Sequence, residues 1–151
     1  MTTNFTPVKV FALPSTPSLL TLTQLGPSEC LLALVYEETA NQVMLCKILD
    51  KEVVIMKTVR IEVPEERLRV CAWGDGVSLA VAGTTGMIYL AEIMEGGDGK
   101  WVAEVENMPG GHSVEVTDIK FNPVHLNILA SSSLDKSIRI WSCDHLSKSY
   151  S

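Results

Sequence analysis

Four side chains near the end of the chain, His112, Ser131, Asp135 and Trp141, have types and spacing that could do chemistry. Serine, histidine and aspartate together form the triad of nucleophilic hydrolases, in which the histidine activates the serine hydroxyl. A G-x-S-x-G turn often surrounds such a serine, but Ser131 lies in the sequence Ala-Ser-Ser-Ser. We therefore interpret the four residues, called the polar tetrad below, as a structural hydrogen-bonding relay and assign no catalytic residue.

Short antiparallel strands must position the polar tetrad. The stretch from Gly111 to Trp141 reads GHSVEVTDIKFNPVHLNILASSSLDKSIRIW and resembles one WD-type repeat, with a Gly-His opening and a closing tryptophan. Such a repeat forms a four-stranded blade of a β-propeller. In this repeat family the tryptophan donates to the serine, the serine bonds the histidine and the histidine bonds the aspartate. An unpaired polar group between blades costs roughly 1 to 3 kcal/mol, which explains why the residues occur together.

Earlier segments repeat this organisation with weaker signals. Leu79 and Ile88 align with Leu129 and Ile138, a separation of 50 residues that is typical of propeller blades. Alternating apolar residues at 31–48 and 52–59 indicate a further blade, and no helix is predicted. The predicted fold is all-β, a partial WD-repeat β-propeller of about three four-stranded blades from a seven-bladed architecture. The predicted segments are a leader at 1–18 with an edge strand at Val8–Leu13, degenerate blades at 19–62 and 63–107, a complete WD-type blade at 108–143, and a frayed tail at 144–151.

The middle blade lacks the polar tetrad. At the positions of Ser131, Asp135 and Trp141 it has other residues, namely Val81, Thr85 and Ala91. Because losing all the partners together leaves no polar group unpaired, the two degenerate blades are expected to rest on apolar packing alone. The charged stretch Pro64–Arg67 is interpreted as a solvated surface turn.

Composition and charge argue against several function classes. The formal net charge is −6 and the basic residues are scattered singly, so no direct nucleic-acid contact is expected. The longest apolar runs are far shorter than the roughly 20 residues of a membrane span, and the N-terminus lacks the pattern of a secretory signal. The chain is therefore expected to be intracellular.

Metal and nucleotide sites are not predicted either. The cysteines never occur at the C-x₂₋₄-C spacing of zinc sites and are interpreted as buried free thiols. They are Cys30, Cys46, Cys71 and Cys143. Gly83 and Gly86 fit a β-hairpin turn, and the glycine-rich stretch 95–100 lacks the spacing of a phosphate-binding loop. No metal and no cofactor are expected.

The middle and last blades together resemble a narrower family. CAW at Cys71–Trp73, then LAVAGTTGMIYLAEI, then the repeat that begins at Gly111 are similar to the extra sex combs and embryonic ectoderm development family. That family supplies the propeller subunit of Polycomb repressive complex 2. The resemblance implies a non-catalytic nuclear scaffold that holds a SET-domain histone methyltransferase subunit and supports transcriptional repression. The alternative is a WD-repeat adaptor of another lineage, such as a ubiquitin-ligase substrate receptor or a signalling scaffold, with no chromatin role.

The chain departs from that family in two respects. The family reads trimethyl-lysine with an aromatic cage, but the matching positions here hold Arg69 and either Leu19 or Leu20. Because an arginine repels a cation, the cage is expected not to be intact. A seven-bladed propeller also needs roughly 300 residues. An open stack of three blades would leave two sheet faces bare, so the chain is expected to be a fragment, a truncated paralogue or half of an assembly that another chain completes.

Overall fold

The computed structural model describes residues 7, 9–24, 27, 29–49, 52–75 and 78–143. These residues form eleven β-strands and a single 3₁₀ turn at Glu37–Thr39. The strands are β1 (Pro17–Gln24), β2 (Cys30–Tyr36), β3 (Gln42–Ile48), β4 (Val53–Arg60), β5 (Leu68–Trp73), β6 (Ser78–Gly83), β7 (Ile88–Glu95), β8 (Trp101–Asn107), β9 (Val116–Phe121), β10 (Ile128–Ser133) and β11 (Ile138–Ser142). No helix in the described part of the chain is long and apolar enough to cross a membrane.

The strands form three antiparallel sheets in chain order, as expected for successive propeller blades. The first blade is β1–β4, the middle blade is β5–β8 and the last blade is β9–β11. β5 packs against both β1 and β9, so the first strand of each blade lies next to the first strand of its neighbour. The prediction of an all-β partial propeller is confirmed.

The middle blade is buried on both faces because successive apolar residues along its inner strands point to opposite faces of the sheet, and each face packs against a neighbouring blade. Leu79 and Val81 of β6 pack in a core shared with the first blade. Ala80 and Ala82, which point to the opposite face, pack in a second core shared with the last blade. This explains why β6 reads as a continuous apolar run rather than as an alternation of apolar and polar residues.

Strand register supports the internal repeat. Leu79 pairs with Trp73 on one side and with Ala91 on the other. Leu129 pairs in the same way with Phe121 and with Trp141. The second and third strands of the two blades therefore correspond at the spacing of 50 residues that the sequence indicated, whereas the first strands correspond at a spacing of 48.

A backbone hydrogen bond joins each blade to the next. The donor is an amide just before or at the start of the later blade, and the acceptor is a carbonyl in the turn between the second and third strands of the earlier blade. The amide of Leu68 donates to the carbonyl of Ala40 over 2.8 Å, and the amide of His112 donates to the carbonyl of Gly86 over 2.9 Å. The Trp73 indole adds a bond to the first blade, because its Nε1 donates to the Thr21 carbonyl over 3.3 Å. Trp73 is the tryptophan of the CAW sequence, and it has this structural role.

The described residues differ from the predicted strands in two places. No strand forms at residues 9–13, where the edge strand Val8–Leu13 was predicted, and the first strand begins at Pro17. Val10 is 83% exposed, so this segment gains little burial that would hold it as a strand. The last blade has three described strands instead of four, and the tail predicted at 144–151 lies outside the described residues.

The two outer faces of the stack differ, contrary to the expectation that both are bare. On the first blade a cluster that includes Leu34 and Met44 is buried, and Leu13 of the leader packs against it. On the last blade Ile138 and Ile140 are 76% and 66% exposed. The leader therefore contributes to covering one end of the stack, and the last blade keeps an open apolar face.

Candidate functional site

The structure brings the four residues of the polar tetrad into one continuous hydrogen-bonded chain. Trp141 Nε1 donates to Ser131 Oγ over 2.9 Å, and Ser131 Oγ lies 2.7 Å from His112 Nε2. His112 Nδ1 lies 3.0 Å from Asp135 Oδ2. β10 positions Ser131, β11 positions Trp141, and the turn between these strands positions Asp135.

One arrangement of protons satisfies the whole chain of bonds. Because Asp135 only accepts, His112 Nδ1 carries the proton, and Nε2 then accepts from the Ser131 hydroxyl. Asp135 Oδ1 also accepts from the Ser137 hydroxyl over 2.5 Å, and Oδ2 accepts from the Ser113 amide over 3.2 Å. The bond from the Ser137 hydroxyl, followed by those from Ser113 and His112, holds the pKa of Asp135 well below its ordinary range.

The same geometry disfavours a catalytic triad. His112 and Ser131 are only 5% and 3% exposed, and they lie on the face of the last blade that the middle blade covers. The Ser131 oxygen already accepts the Trp141 indole proton and donates to His112, which leaves no approach for a substrate carbonyl. The arrangement joins strands and orders a turn.

Replacing Ser131 with alanine tests the stabilising role of the polar tetrad. The substitution leaves His112 Nε2 and the Trp141 indole without their buried partner, so the free energy of unfolding should fall by about 2 kcal/mol. Ser132→Ala is the matched control, because Ser132 bonds Thr117 at an exposed position and should change stability by less than about 0.5 kcal/mol. Urea denaturation followed by tryptophan fluorescence measures both. Equal stability of the two variants would contradict the assigned role.

The glycine of the Gly-His dipeptide meets the turn of the middle blade at close range. A Cβ on Gly111 would lie 2.9 Å from the Gly86 carbonyl oxygen and 3.3 Å from the Met87 Cα. Gly86 itself has φ of +84°, and a Cβ there would lie 2.3 Å from the His112 carbonyl oxygen. Two glycines thus allow two backbones to approach each other where the His112 amide bonds the Gly86 carbonyl.

The middle blade has a polar network of its own, which sequence reasoning missed. The Glu66 carboxylate accepts from the Tyr89 hydroxyl over 2.9 Å, from the Thr85 amide over 3.2 Å and from the Thr85 hydroxyl. Glu66 is 1% exposed and Tyr89 is also 1% exposed. We call Glu66, Thr85 and Tyr89 the glutamate network. Thr85 occupies the turn position that Asp135 occupies in the last blade.

Two expectations about the middle blade are therefore wrong. It does not rest on apolar packing alone, and Glu66 is not a solvated residue of a surface turn, although Glu65 beside it is exposed. The carboxylate comes from a different segment in each blade. In the last blade the turn supplies the carboxylate, whereas in the middle blade the segment before the first strand supplies it and the turn supplies a hydroxyl. Comparison of single positions could not reveal this, because Glu66 follows a proline in a charged stretch that favours a loop.

The glutamate network predicts a loss of stability at alkaline pH. Burial, followed by the Glu66 carboxylate, raises the pKa of Tyr89 to about 12 from an ordinary value of 10.0. The unfolded chain then releases the tyrosine proton first, so this contribution to stability is complete below pH 10 and is lost as the pH rises towards 12. Denaturant midpoints measured from pH 8 to 11 should fall, and the fall should be smaller in Tyr89→Phe. A parallel fall in that variant would contradict the assignment to Tyr89.

The residues matched to the methyl-lysine cage lie on two neighbouring strands. Arg69 is on β5, and its Nε lies 4.0 Å from Glu115 Oε1. Leu19 and Leu20 are on β1; Leu19 packs against the core between the first two blades, and Leu20 is 60% exposed. None of these side chains is aromatic, and a guanidinium paired with a carboxylate offers no face for a methylated ammonium.

The cysteines are free thiols, but only two of them are buried. Cys46 and Cys143 are buried, whereas Cys30 and Cys71 are half-buried. Burial raises the pKa of the Cys71 thiol to about 12, which makes it a poor nucleophile. Across the described residues, no three His, Cys, Asp or Glu side chains gather in a way that could hold a metal ion.

Comparisons with known proteins give partial matches in sequence. No protein-family model matches the chain. Coronin-7 of Rattus norvegicus, a WD-repeat protein, is 38% identical over 63 residues, which cover 42% of this chain and 7% of the relative. Coronin-7 of Homo sapiens is 36% identical over 72 residues, which cover 46% of this chain and 8% of the relative. The matched part is thus less than a tenth of these relatives.

Similar solved structures cover nearly the whole chain. A chain in a humanized mutant of the Chaetomium thermophilum Polycomb Repressive Complex 2, bound to an inhibitor, gives a TM-score of 0.65 at 19% identity. The match covers 86% of this chain and 29% of that chain. A crystal structure of the Chaetomium thermophilum complex gives 0.64 at 20% identity, over 83% of this chain and 26% of that chain. At this identity the likeness shows the fold, a set of WD-repeat propeller blades.

Proposed function

We propose that the chain is a non-catalytic WD-repeat scaffold resembling the propeller subunit of Polycomb repressive complex 2, and that it supports histone methylation and transcriptional repression through protein contacts. The observation that carries this proposal is the buried polar tetrad, which uses the chain's Ser-His-Asp set for structure. The structural similarity to chains of that complex favours this particular scaffold.

The proposed partner is a SET-domain histone methyltransferase subunit, and the proposed location is the nucleus. A net charge of −6 disfavours the phosphate backbone of DNA as the ligand, so the chromatin role would act through protein. The open face of the last blade, where Ile138 and Ile140 are exposed, supports a need for a covering chain.

A second candidate is a WD-repeat adaptor of another lineage, either a ubiquitin-ligase substrate receptor or a signalling scaffold. The identity of 36–38% to Coronin-7 favours it, because that value exceeds the identity to the Polycomb chains. The matched segment is short, and the two candidates share the same blade structure.

Affinity purification of the tagged full chain from its native cells, with mass spectrometry of the retained proteins, separates the candidates. Enrichment of a SET-domain methyltransferase over a tag-only control is the expected result. Enrichment of a ligase core or a kinase without a methyltransferase would overturn the Polycomb proposal in favour of the adaptor. Nuclear fractionation of the same cells tests the proposed location separately.

Methyl-lysine reading is expected to be absent from this chain. Arg69 and the leucines of β1 provide no aromatic walls, and cation–π attraction is the main force that distinguishes a methylated ammonium. Titration with trimethylated and unmodified forms of the same histone peptide should give indistinguishable, weak responses. Micromolar binding that depends on methylation would contradict this prediction.

A further inference from the structure

The end of the leader, residues 9–16, lies against the first blade without joining its sheet. Leu13 packs against the apolar cluster on the outer face of that blade. The amide of Glu37, in the 3₁₀ turn, donates to the Thr16 carbonyl over 3.0 Å. These contacts dock the segment on the blade, whereas strand pairing begins only at Pro17.

Two features make this contact easy to open. Ser15 Oγ is buried and has no hydrogen-bonding partner among the described residues, and the burial of an unpaired hydroxyl disfavours the docked position. The pairing of β1 with β2 is also irregular where it begins, because the register shifts between Pro17 and Leu19. A segment that contains an unpaired buried group and precedes an irregular strand end should open more often than the blade itself.

Thr16 has the surroundings of a residue that a protein kinase can phosphorylate. It is exposed, with Pro14 two residues before it and Pro17 directly after it. The following proline favours an extended backbone at Thr16, and proline-directed kinases bind their substrates in an extended form. Thr6 also precedes a proline in the sequence, but it has an asparagine two residues before it. The pattern of two prolines therefore favours Thr16 as the acceptor.

A phosphate on Thr16 would meet negative charge on the first blade. Glu38 lines the same surface cleft as Thr16, and the amide of Glu37 bonds the Thr16 carbonyl. Both glutamates are exposed residues of the 3₁₀ turn. Phosphothreonine carries a charge of roughly −1.5 to −2 near neutral pH, and beside glutamates it disrupts a contact by like-charge repulsion.

The arginines at this end of the first two blades lie away from the leader. Arg60 is on β4, three strands from β1 in the sheet, which is roughly 14 Å at the usual strand spacing. Arg67 precedes Leu68, whose amide bonds the Ala40 carbonyl at the junction with the middle blade, and the leader lies on the opposite face. Exposed charges this far apart are largely screened by physiological salt. Repulsion by the two glutamates is therefore the larger effect of a phosphate on Thr16.

We propose that Thr16 is a phosphorylation site and that its modification detaches the leader from the first blade. The Thr16 hydroxyl oxygen attacks the γ-phosphorus of a nucleoside triphosphate held by a proline-directed kinase, the bond from that phosphorus to the bridging oxygen breaks, and the nucleoside diphosphate leaves. The hydroxyl proton passes to a carboxylate base of the kinase. Repulsion from Glu37 and Glu38 then breaks the bond to the Thr16 carbonyl and uncovers the apolar cluster that Leu13 contacts. The inference goes beyond the scaffold function proposed above and does not depend on a methyltransferase partner.

Incubation of the purified full chain with a mitogen-activated protein kinase and ATP tests the modification site. Tandem mass spectrometry of the product should place the phosphate on Thr16 in preference to Thr6, and Thr16→Ala should lose most of the incorporation. No incorporation under conditions that fully modify a control substrate would overturn the site. Preferential modification of Thr6, or undiminished incorporation in Thr16→Ala, would overturn it as well.

Hydrogen exchange of single amides, followed by NMR, tests the release of the leader. In the phosphorylated chain the Glu37 amide should exchange at least about tenfold faster, because it loses its bond to the Thr16 carbonyl. The Leu68 amide is the internal control: it bonds the Ala40 carbonyl between the first two blades and should exchange at an unchanged rate. Unchanged exchange at Glu37 would overturn the release, and an equal rise at Leu68 would replace it with general destabilisation.

Removal of the two carboxylates tests the cause of the release. In a chain with both Glu37→Gln and Glu38→Gln the backbone bond to Thr16 can still form, but the phosphate meets no negative charge on the turn. Phosphorylation should then speed exchange of the amide at position 37 by less than about threefold. A rise as large as that of the native chain would overturn the repulsion between phosphate and glutamates.

Discussion

Replacing Gly86 with alanine is expected to lower the free energy of unfolding by about 3 to 5 kcal/mol, a large effect for one methyl group. Gly86 has φ of +84°, and a Cβ there would lie 2.3 Å from the His112 carbonyl oxygen and 2.7 Å from the Val114 carbonyl oxygen. Both contacts are with backbone, so neither can be relieved by moving a side chain. The last blade would have to move away from the middle blade.

Two other glycines of the chain separate the causes of this effect. Gly99 also has a positive φ, of +78°, but a Cβ there would meet nothing within 4 Å. Gly99→Ala should therefore cost only about 1 kcal/mol, the cost of the left-handed conformation. A Cβ on Gly97 meets nothing within 4 Å and no positive φ is present there, so Gly97→Ala should change stability by less than about 0.5 kcal/mol.

Denaturant unfolding of the three variants gives the measurement. The expected order of destabilisation is Gly86→Ala first, then Gly99→Ala, then Gly97→Ala. If Gly86→Ala and Gly99→Ala cost the same, the close approach of the Gly86 turn to His112 contributes nothing, and the backbone connection between the two blades is not a stabilising feature. The Gly-His dipeptide would then need another explanation.

Glu66→Ala is expected to cost about 3 kcal/mol. The substitution removes the acceptor of the Tyr89 hydroxyl and of the Thr85 amide and hydroxyl, all in an environment that water hardly reaches. Buried donors left without an acceptor carry the full cost of their lost hydration. The neighbouring Glu65 is exposed, so Glu65→Ala, with the same change of charge and size, should cost less than about 0.5 kcal/mol.

A double-mutant cycle with Tyr89→Phe isolates the bond between the two side chains. If Glu66 stabilises the middle blade by accepting from Tyr89, the second substitution should cost less in the Glu66→Ala background than in the native chain. A coupling energy of about 1 kcal/mol is expected for contacting partners. Strict additivity would show that Glu66 acts through size or general charge and not through this hydrogen bond.

The glutamate network changes how the middle blade is understood. Its sequence lost the serine, the aspartate and the tryptophan of the polar tetrad, and apolar packing was therefore expected to replace them. The structure instead has a carboxylate before the first strand and a hydroxyl in the turn, which is the reverse of the last blade. In both blades a buried acid–partner pair ties the start of the first strand to the turn between the second and third strands.

Local patterns in the chain were sufficient to predict the blades. Alternating apolar residues and turn residues are local signals, and they are sufficient to define hairpins because the strands of a hairpin are neighbours in the chain. The repeat spacing of 50 residues then indicates that one set of hairpins follows another. The polar tetrad was predictable for the same reason, because its four residue types recur at fixed distances within one repeat. Leu79 and Leu129 consequently occupy equivalent registers in β6 and β10.

Contacts between separate segments decided the remaining features. Glu66 is buried because Gly83 has no side chain; a Cβ on Gly83 would lie 2.6 Å from the Glu66 carboxylate and 1.9 Å from the Arg67 carbonyl oxygen. The burial of a side chain and the charges near it depend on residues from distant parts of the chain. Periodicity along one strand therefore carries no information about them.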